Sequence, residues 1–281
     1  VRGRRVSRSG RSRRRCCVKT ESGMASSRGR RMSPSKIALV TGASRGIGAA
    51  TARRLARAGY AICVNFRSDE SAAQSVVRDL EQHGGRAIAV RADVSSESDV
   101  EQLFRVMDSQ LGRLTLLVNN AGIVAKQMRV EEMRADRINR IFQTNVTGAF
   151  ICAREAVMRM SPRYGGTGGA IVNVSSAASR VGSAGEYVDY AASKGALDTL
   201  TIGLSLEVAS EGIRVNCVRP GFIHTDMHTD GGEPGRVDRL RSSIPLGRGG
   251  SPEEIADVIC WLASDEASYC TGTFIDCAGG R

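Results

Sequence analysis

"KIALVTGASRGIG", residues 36–48, passes from an unbroken apolar run through a glycine-rich turn into the first residues of a helical pattern. An apolar run with no polar interruption suits a strand buried on both faces. Beyond the turn, residues 47–58 set Ala and Leu on one side and Arg53, Arg54 and Arg57 on the other, the pattern of an amphipathic helix. Gly42, Gly46 and Gly48 give the turn the spacing G-x3-G-x-G. Such glycines leave room for a phosphate chain to approach the backbone, and a helix N-terminus behind them presents free N–H groups and partial positive charge. Strand-to-helix turns also use glycine for steric reasons alone, so the rest of the chain decides what this turn is for.

Outward from the turn, strand-like and helix-like segments alternate to the end of the chain. "AICVNF" (61–66), "RAIAVRAD" (86–93), "LTLLVNNAG" (114–122), "GAIVNVSS" (169–176), "IRVNCVRPG" (213–221) and "GTFIDCAGG" (272–280) read as six further strands. Helices are expected over 69–83, from the cap-like "DVSSESD" through Gln110, over a long region from Glu131 to Met160, and again through Glu211. The last is "SPEEIADVICWLAS" (251–264), with Ser251 as N-cap and Pro252 at the first helical position. Strands alternating with helices mean right-handed crossovers and a parallel sheet covered on both faces. The expected fold is α/β: a Rossmann-type, doubly wound sheet of seven parallel strands, in one domain over residues 36–281. In that setting the glycine turn lies at the first crossover, where dinucleotides bind.

The net charge of +11 does not belong to this domain. Residues 1–35 hold eleven Arg, one Lys and one acid, which accounts for the whole excess and leaves residues 36–281 neutral. A tail so rich in Arg, Ser and Gly has little to bury and is expected to be disordered. It begins with Val, and Met24 and Met32 stand just before the first strand, so it is read as sequence upstream of the protein proper. An organelle transit peptide and a nucleic-acid-binding arm are the alternatives. No apolar run approaches the ~20 residues needed to cross a bilayer, so no membrane partner is expected. Six cysteines beyond the tail lie among apolar residues without C-x-x-C or zinc-like spacing, and are read as reduced, mostly buried thiols of a cytoplasmic protein. His224 and His228 are four residues apart in a Gly-rich stretch and are read as solvated loop residues, with no metal site.

The end of the second strand, "VNFRS", has no acid before Asp69. A carboxylate there would accept the ribose hydroxyls of NAD. Instead Arg67 follows the strand and Arg45 lies inside the glycine turn, and two guanidinium groups suit a 2′-phosphate. NADP(H) is therefore the expected cofactor, with NAD(H) possible.

"EYVDYAASK" (186–194) holds one of only four lysines among forty basic residues. Tyr190 and Lys194 are four apart and share a helix face, whereas Tyr187 lies about two turns away, ~10 Å along the axis. A free phenol titrates near ~10. A cation ~5 Å from it, at an effective dielectric of ~20, favours phenolate by ~3 kcal/mol, about two pKa units. Partial burial on the stripe Leu197, Leu200, Leu204, Val208 opposes that shift. Tyr190 is the candidate general acid–base, and Lys194 the cation that serves it.

At this point four motifs stand in order and spacing: "TGASRGIG", "NNAG" (119–122), "YAASK" (190–194) and "RPGFIHT" (219–225). Over residues 36–281 the chain resembles the classical short-chain dehydrogenase/reductase family. Within it, the chain looks most like the 3-oxoacyl-carrier-protein reductase and glucose dehydrogenase branch. The resemblance implies an oxidoreductase that interconverts a carbonyl and a secondary alcohol by hydride transfer. It makes Tyr190 the acid–base and Lys194 the residue that lowers its pKa and holds the nicotinamide ribose. Ser176 would donate to the substrate oxygen, and Asn145, in "TNVTG", would complete a water relay to Lys194. Strand alternation sends Ser175 and Ser176 to opposite faces, so one alone enters the site, and Ser176 is the choice.

For the cofactor, the resemblance assigns Gly42, Ser44, Arg45 and Ile47 to the pyrophosphate and adenosine side, beside Gly46 and Gly48 of the same turn and the Arg67 already read from the strand end. Asp93 with Val94 would meet the adenine, and Asn119, Ala121 and Gly122 the central ribose. Pro220, Gly221, Ile223 and Thr225 would bracket the carboxamide. On the residues alone, "NNAG" is also a strand-end turn, and "DVSSESD" a helix cap that Ser95 could equally supply.

Residues 222–250 look too Gly-rich and polar to be core and are read as a lid. Arg236, Arg239 and Arg241 there could meet an anionic substrate or simply face solvent. The substrate is a small carbonyl or alcohol compound of undetermined class. Rival readings are nucleic-acid binding through the tail, a catalytically silent dinucleotide sensor, and an NAD-dependent sugar epimerase. Ala191, Ala192, Gly195 and Ala196 are small enough for close helix packing between subunits, and a homotetramer or dimer is expected.

Overall fold

The computed structural model describes residues 36–281. The basic segment 1–35, with its expected disorder and its upstream, targeting and nucleic-acid readings, lies outside the described residues. In chain order the elements begin β1 (Ile37–Val40), α1 (Gly46–Arg57), β2 (Ala61–Phe66), α2 (Glu70–Gln82), β3 (Ala87–Arg91), α3 (Glu97–Gln110) and β4 (Leu116–Asn119). They continue α4 (Ala135–Phe142), α5 (Gly148–Met160), β5 (Gly169–Val174), α6 (Ala178–Val181), α7 (Val188–Val208) and β6 (Ile213–Pro220). The chain closes with α8 (Met227–Asp230), α9 (Arg236–Leu240), α10 (Pro252–Ala263) and β7 (Phe274–Cys277).

The apolar runs have a simple cause. Along β1, Ala38 and Val40 enter one hydrophobic cluster and Ile37 and Leu39 another. β2 repeats this with Ile62 and Val64 against Cys63, and β4 with Leu116 and Val118 against Leu117. The first cluster is covered by α1, α2 and α10 through Leu55, Val76 and Ile259, and the second by α3 and α5 through Phe104, Met107 and Ala156. Both faces of each strand are therefore apolar, and no alternation survives in the sequence. The seven strands are all parallel, in the order β3-β2-β1-β4-β5-β6-β7. This is the doubly wound Rossmann-type sheet. The order in which strands are added reverses between β1 and β4, which opens a crevice at the carboxyl ends of the strands.

Three expectations are corrected. The helical region from Glu131 to Met160 is broken: a single 3-10 turn at Val130–Glu132, then α4, a π turn at Gln143–Thr147, and α5. Within the π turn the N–H of Gly148 reaches the carbonyl of Gln143, five residues back, and the buried Asn145 side chain is drawn inward. The cap of α3 is Ser96, which accepts the N–H of Asp99, while Asp93 accepts the N–H and hydroxyl of Ser95. The segment 222–250 is not wholly outside the core either. It folds into α8 and α9 and buries Ile223, Val237 and Ile244 beneath its polar residues. The start of α10 matches the reading: Ser251 and Glu254 form a reciprocal capping box, with Pro252 first in the helix.

Among the described residues no helix is long and apolar enough to cross a membrane. Cys63, Cys152, Cys217 and Cys260 are buried free thiols, and Cys270 and Cys277 are half-buried.

Candidate active site

Two asparagines lock the glycine turn at the switch point. Asn65 Oδ1 accepts the N–H of Gly42 at 3.1 Å, and Asn120 Nδ2 donates to the carbonyls of Thr41 and Gly42 at 2.8 and 3.1 Å. Thr41 Oγ1 in return accepts the N–H groups of Asn120 and Ala121. These bonds join the ends of β1, β2 and β4 into one rigid rim. Gly42 and Gly46 take φ of +61° and +55°, and a Cβ on Gly48 would lie 2.5 Å from the Gly42 carbonyl oxygen. Glycine is required here by backbone approach as well as by conformation. Helix α1 has no acid in its first turn and no side-chain cap. Its N-terminal N–H groups are thus left for an anion.

A groove runs in front of this turn, lined by Gly42, Ser44, Arg45, Gly46, Ile47 and Gly48 on one side. Arg67, Asp93, Val94, Ala121 and Gly122 line it further along. The chemistry fits a dinucleotide: a glycine cradle for the pyrophosphate, and Arg67, with no side-chain partner among the described residues, at the end of an acid-free β2. One expected contact is corrected, and a second residue is found already paired. The side chain of Asn119 is buried and faces away, donating to Asn173 Oδ1 at 3.0 Å and to the Ala149 carbonyl at 3.3 Å. Strand alternation turns it from the groove, and Asn120 enters instead. Arg45 is not free: its Nη2 lies 2.5 Å from Asp230 and its Nη1 3.7 Å from Asp226.

Behind the groove, Leu197, Leu200 and Val208 bury one side of α7 and fix the helix against the sheet. This sets Tyr190 and Lys194 into a cavity of ≈ 410 Å³. Ser176 lines the same cavity beside Tyr190, and its Oγ accepts the N–H of Ala178. Ser175 points the other way and donates to the carbonyl of Lys194 at 3.1 Å. Of the two serines, Ser176 is the one in contact with Tyr190. Lys194 Nζ donates to the Val174 carbonyl at 2.8 Å and sits 5.6 Å from the centroid of the Tyr190 ring. Tyr187, capping α7, donates its hydroxyl to the Gly231 carbonyl.

Asn145 braces its surroundings. Its Oδ1 accepts the N–H of Ile123 at 2.8 Å, and its Nδ2 donates to the Ile123 carbonyl and to Ser193 Oγ, both at 3.0 Å. Gly122 lies between it and the lysine: a Cβ there would be 3.3 Å from Lys194 Nζ and 3.5 Å from Asn145 Oδ1.

Electrostatics differ from the expectation that Lys194 acidifies Tyr190. Burial pushes the phenol up to about 12, opposed only by the neighbouring Ser176 hydroxyl. Burial also brings the Lys194 ammonium down to about 8, against the pull of Cys217 and Asp198. Desolvation thus sets the direction of both shifts, while Lys194 spends a donor on the Val174 carbonyl.

Pro220, Gly221 and Ile223 line the same cavity, and Thr225 lines both cavity and groove. Ile47, Asn120, Val124 and Met227 are likewise shared, so the two spaces open into each other. The arginines of the lid are committed to its own groups. The buried Arg236 pairs with Glu186 and Glu233 and stacks over the rings of Tyr187 and Phe222. Arg239 pairs with Glu233 and holds its carboxyl down to about 2, with help from Arg236. Arg241 donates to the Gly247 carbonyl. None of the three is a ready anion receptor. His228 is also not solvated: it is half-buried, with Nε2 3.0 Å from the Ile223 carbonyl. The sequence reading missed Asn65, Asn120 and Tyr187. The local signals were a lone Asn inside the apolar "AICVNF" for Asn65 and the second Asn of "NNAG" for Asn120.

A family model described as enoyl-(acyl carrier protein) reductase matches residues 42–281. The uncharacterized oxidoreductase YgfF of Escherichia coli (strain K12) is 62% identical over 245 residues, covering 87% of this chain and 99% of that protein. The 3-oxoacyl-[acyl-carrier-protein] reductase FabG of Staphylococcus aureus (strain Mu50) is 39% identical over 251 residues, covering 89% and 99%. A solved short chain dehydrogenase from Burkholderia cenocepacia J2315, in complex with NADP, aligns with a TM-score of 0.80 at 32% identity, over 87% of this chain and 97% of that one. Likeness of this extent, on a sheet of this topology, makes the chain a member of the classical short-chain dehydrogenase/reductase family of oxidoreductases.

Proposed function

We propose that the protein interconverts a carbonyl compound and a secondary alcohol with NADP(H), in the cytoplasm, using Tyr190 as general acid–base. One observation carries this reading: Ser176, Tyr190 and Lys194 line one cavity, with Lys194 beside the phenol ring, and that cavity shares Ile47, Asn120, Thr225 and Met227 with the groove. When bound, a nicotinamide dinucleotide supplies or accepts the hydride. Tyr190 transfers the proton at the substrate oxygen, and Ser176 donates to that oxygen as charge develops on it. A phenol near about 12 keeps its proton through neutral pH, which is the form that reduction consumes. Lys194, at about 8, is still largely cationic there and offsets the phenolate left behind. Asn145 acts as a positioning residue, holding Ile123 and Ser193 on either side of the lysine's surroundings. Preference for NADP(H) follows from Arg67 and the missing carboxylate at the end of β2.

The test is a panel of keto acyl esters, sugars, steroids and simple ketones, assayed with NADPH and NADH beside Tyr190→Phe. The variant is expected to keep dinucleotide binding and lose turnover by about 10²-fold or more. Undiminished turnover removes Tyr190 from its role, and equal efficiency with NADH removes the charge argument for NADP(H). An enoyl thioester belongs in the panel, given the description of the matching family model. Turnover of that substrate alone would replace the carbonyl reading.

A further inference from the structure

Arg45 stands where two parts of the molecule meet. It is the N-cap of α1, inside the glycine turn, and its partners among the described residues are Asp230 and Asp226. Both acids belong to the lid, at and just before α8, and both line the groove with Arg45. The next residue of the turn also touches the lid's root: a Cβ on Gly46 would lie 3.4 Å from Thr225 Cγ2. The ion pair therefore spans the mouth of the groove, from the turn to the lid. Its side chains are about half exposed, at 53% for Arg45, 65% for Asp226 and 47% for Asp230. An exposed pair of this kind shifts an equilibrium by no more than about fivefold.

We propose that Asp230, with Asp226, competes with the 2′-phosphate of the cofactor for Arg45, so that the lid itself tunes the choice between NADP(H) and NAD(H). This rests on the reading of the groove as a dinucleotide site. A phosphate near charge −2 presents several acceptor oxygens to a guanidinium fork and displaces single carboxylates that are weakly held. A dinucleotide ending in a 2′-hydroxyl has no group to make that exchange and leaves the pair in place. Arg67, which has no side-chain partner to give up among the described residues, supplies 2′-phosphate affinity without a competitor. The acids thus lower the preference for NADP(H) that the two arginines would otherwise give.

The experiment is calorimetric titration of the full chain with NADP+ and with NAD+, for wild type, Asp230→Asn, Arg45→Ala and the double variant. Asp226→Asn/Asp230→Asn serves as a second form of the acid deletion. The expected result is an NADP+ affinity about 3- to 5-fold higher in Asp230→Asn, and an NAD+ affinity unchanged within about twofold. In the Arg45→Ala background the same acid deletion has no effect, since the contested partner is gone. A gain that is equal for both dinucleotides, or that persists without Arg45, marks plain charge repulsion and overturns the exchange. An unchanged ratio in both acid variants overturns it as well, while the dinucleotide reading stands. Wild type that binds neither nucleotide removes that reading, and this proposal with it.

Discussion

Lys194 carries a charge into a place that disfavours it. The residue is 3% exposed, donates to the Val174 carbonyl, and is brought down to about 8 from 10.5 by burial. Between those two values the unfolded chain holds more protons than the folded one, so this residue's contribution to stability rises with pH across that window. Below the folded value its full penalty is present. Tyr190 acts oppositely. Its phenol keeps its proton up to about 12 in the fold against 10.0 free, so its contribution falls as pH rises through that interval. Lys194→Met is expected to melt higher than wild type at neutral pH, by at most roughly 3 kcal/mol of relieved charge burial. The gap should close as pH climbs through the lysine window. Calorimetric scans over that range check it, and a gap that ignores pH shows that charge is not the cause. The same variant is expected to be inactive, a stability sacrificed for function.

At the scale of elements, the glycine turn and the two strand ends that hold it form one unit. Gly48→Ala would drive a methyl against the Gly42 carbonyl oxygen at 2.5 Å and Ala43 Cα at 2.9 Å, both backbone atoms that cannot swing aside. The expected outcome is a stability loss of roughly 1–3 kcal/mol and a dinucleotide affinity at least about tenfold lower, read by melting and by calorimetric titration. This turn was legible from sequence because its geometry is dictated by residues next to one another. So was the start of α10, where Ser251, Pro252 and Glu254 act within one turn. What was not legible depends on segments distant in sequence. "NNAG" does not say which asparagine enters the groove until β4 is paired and its faces assigned. The π turn at Gln143–Thr147 follows from bonds between Asn145 and both Ile123 and Ser193. Whether Arg236 would meet an anion or face solvent was open in the sequence, and its burial against Glu186 and Glu233 is neither. The Tyr190–Lys194 pair was found by spacing, yet the sign of the net shift on Tyr190 depended on how deeply both are packed.

At the scale of the whole molecule, α5 and α7 each leave apolar side chains outside. Phe150 is 51% exposed, Ile202 49% and Leu206 78%. Grouped apolar exposure on long helices marks a surface that associates, which suits the expected homotetramer or dimer. Phe150→Glu with Leu206→Glu should yield a smaller species than wild type by light scattering, with the fold intact by circular dichroism. An unchanged mass would rule out these helices as the contact. The junction of groove and cavity, where Ile47, Thr225 and Met227 serve as wall to both, has its own kinetic meaning. Were a flat ring to rest in that doorway, it would form the floor for the second guest, and the guests would be expected to arrive in sequence, nucleotide leading and departing last. Steady-state inhibition should show it: the spent nucleotide competing with the fresh one at every concentration of the other guest, and the reduced and oxidised guests never competing with either.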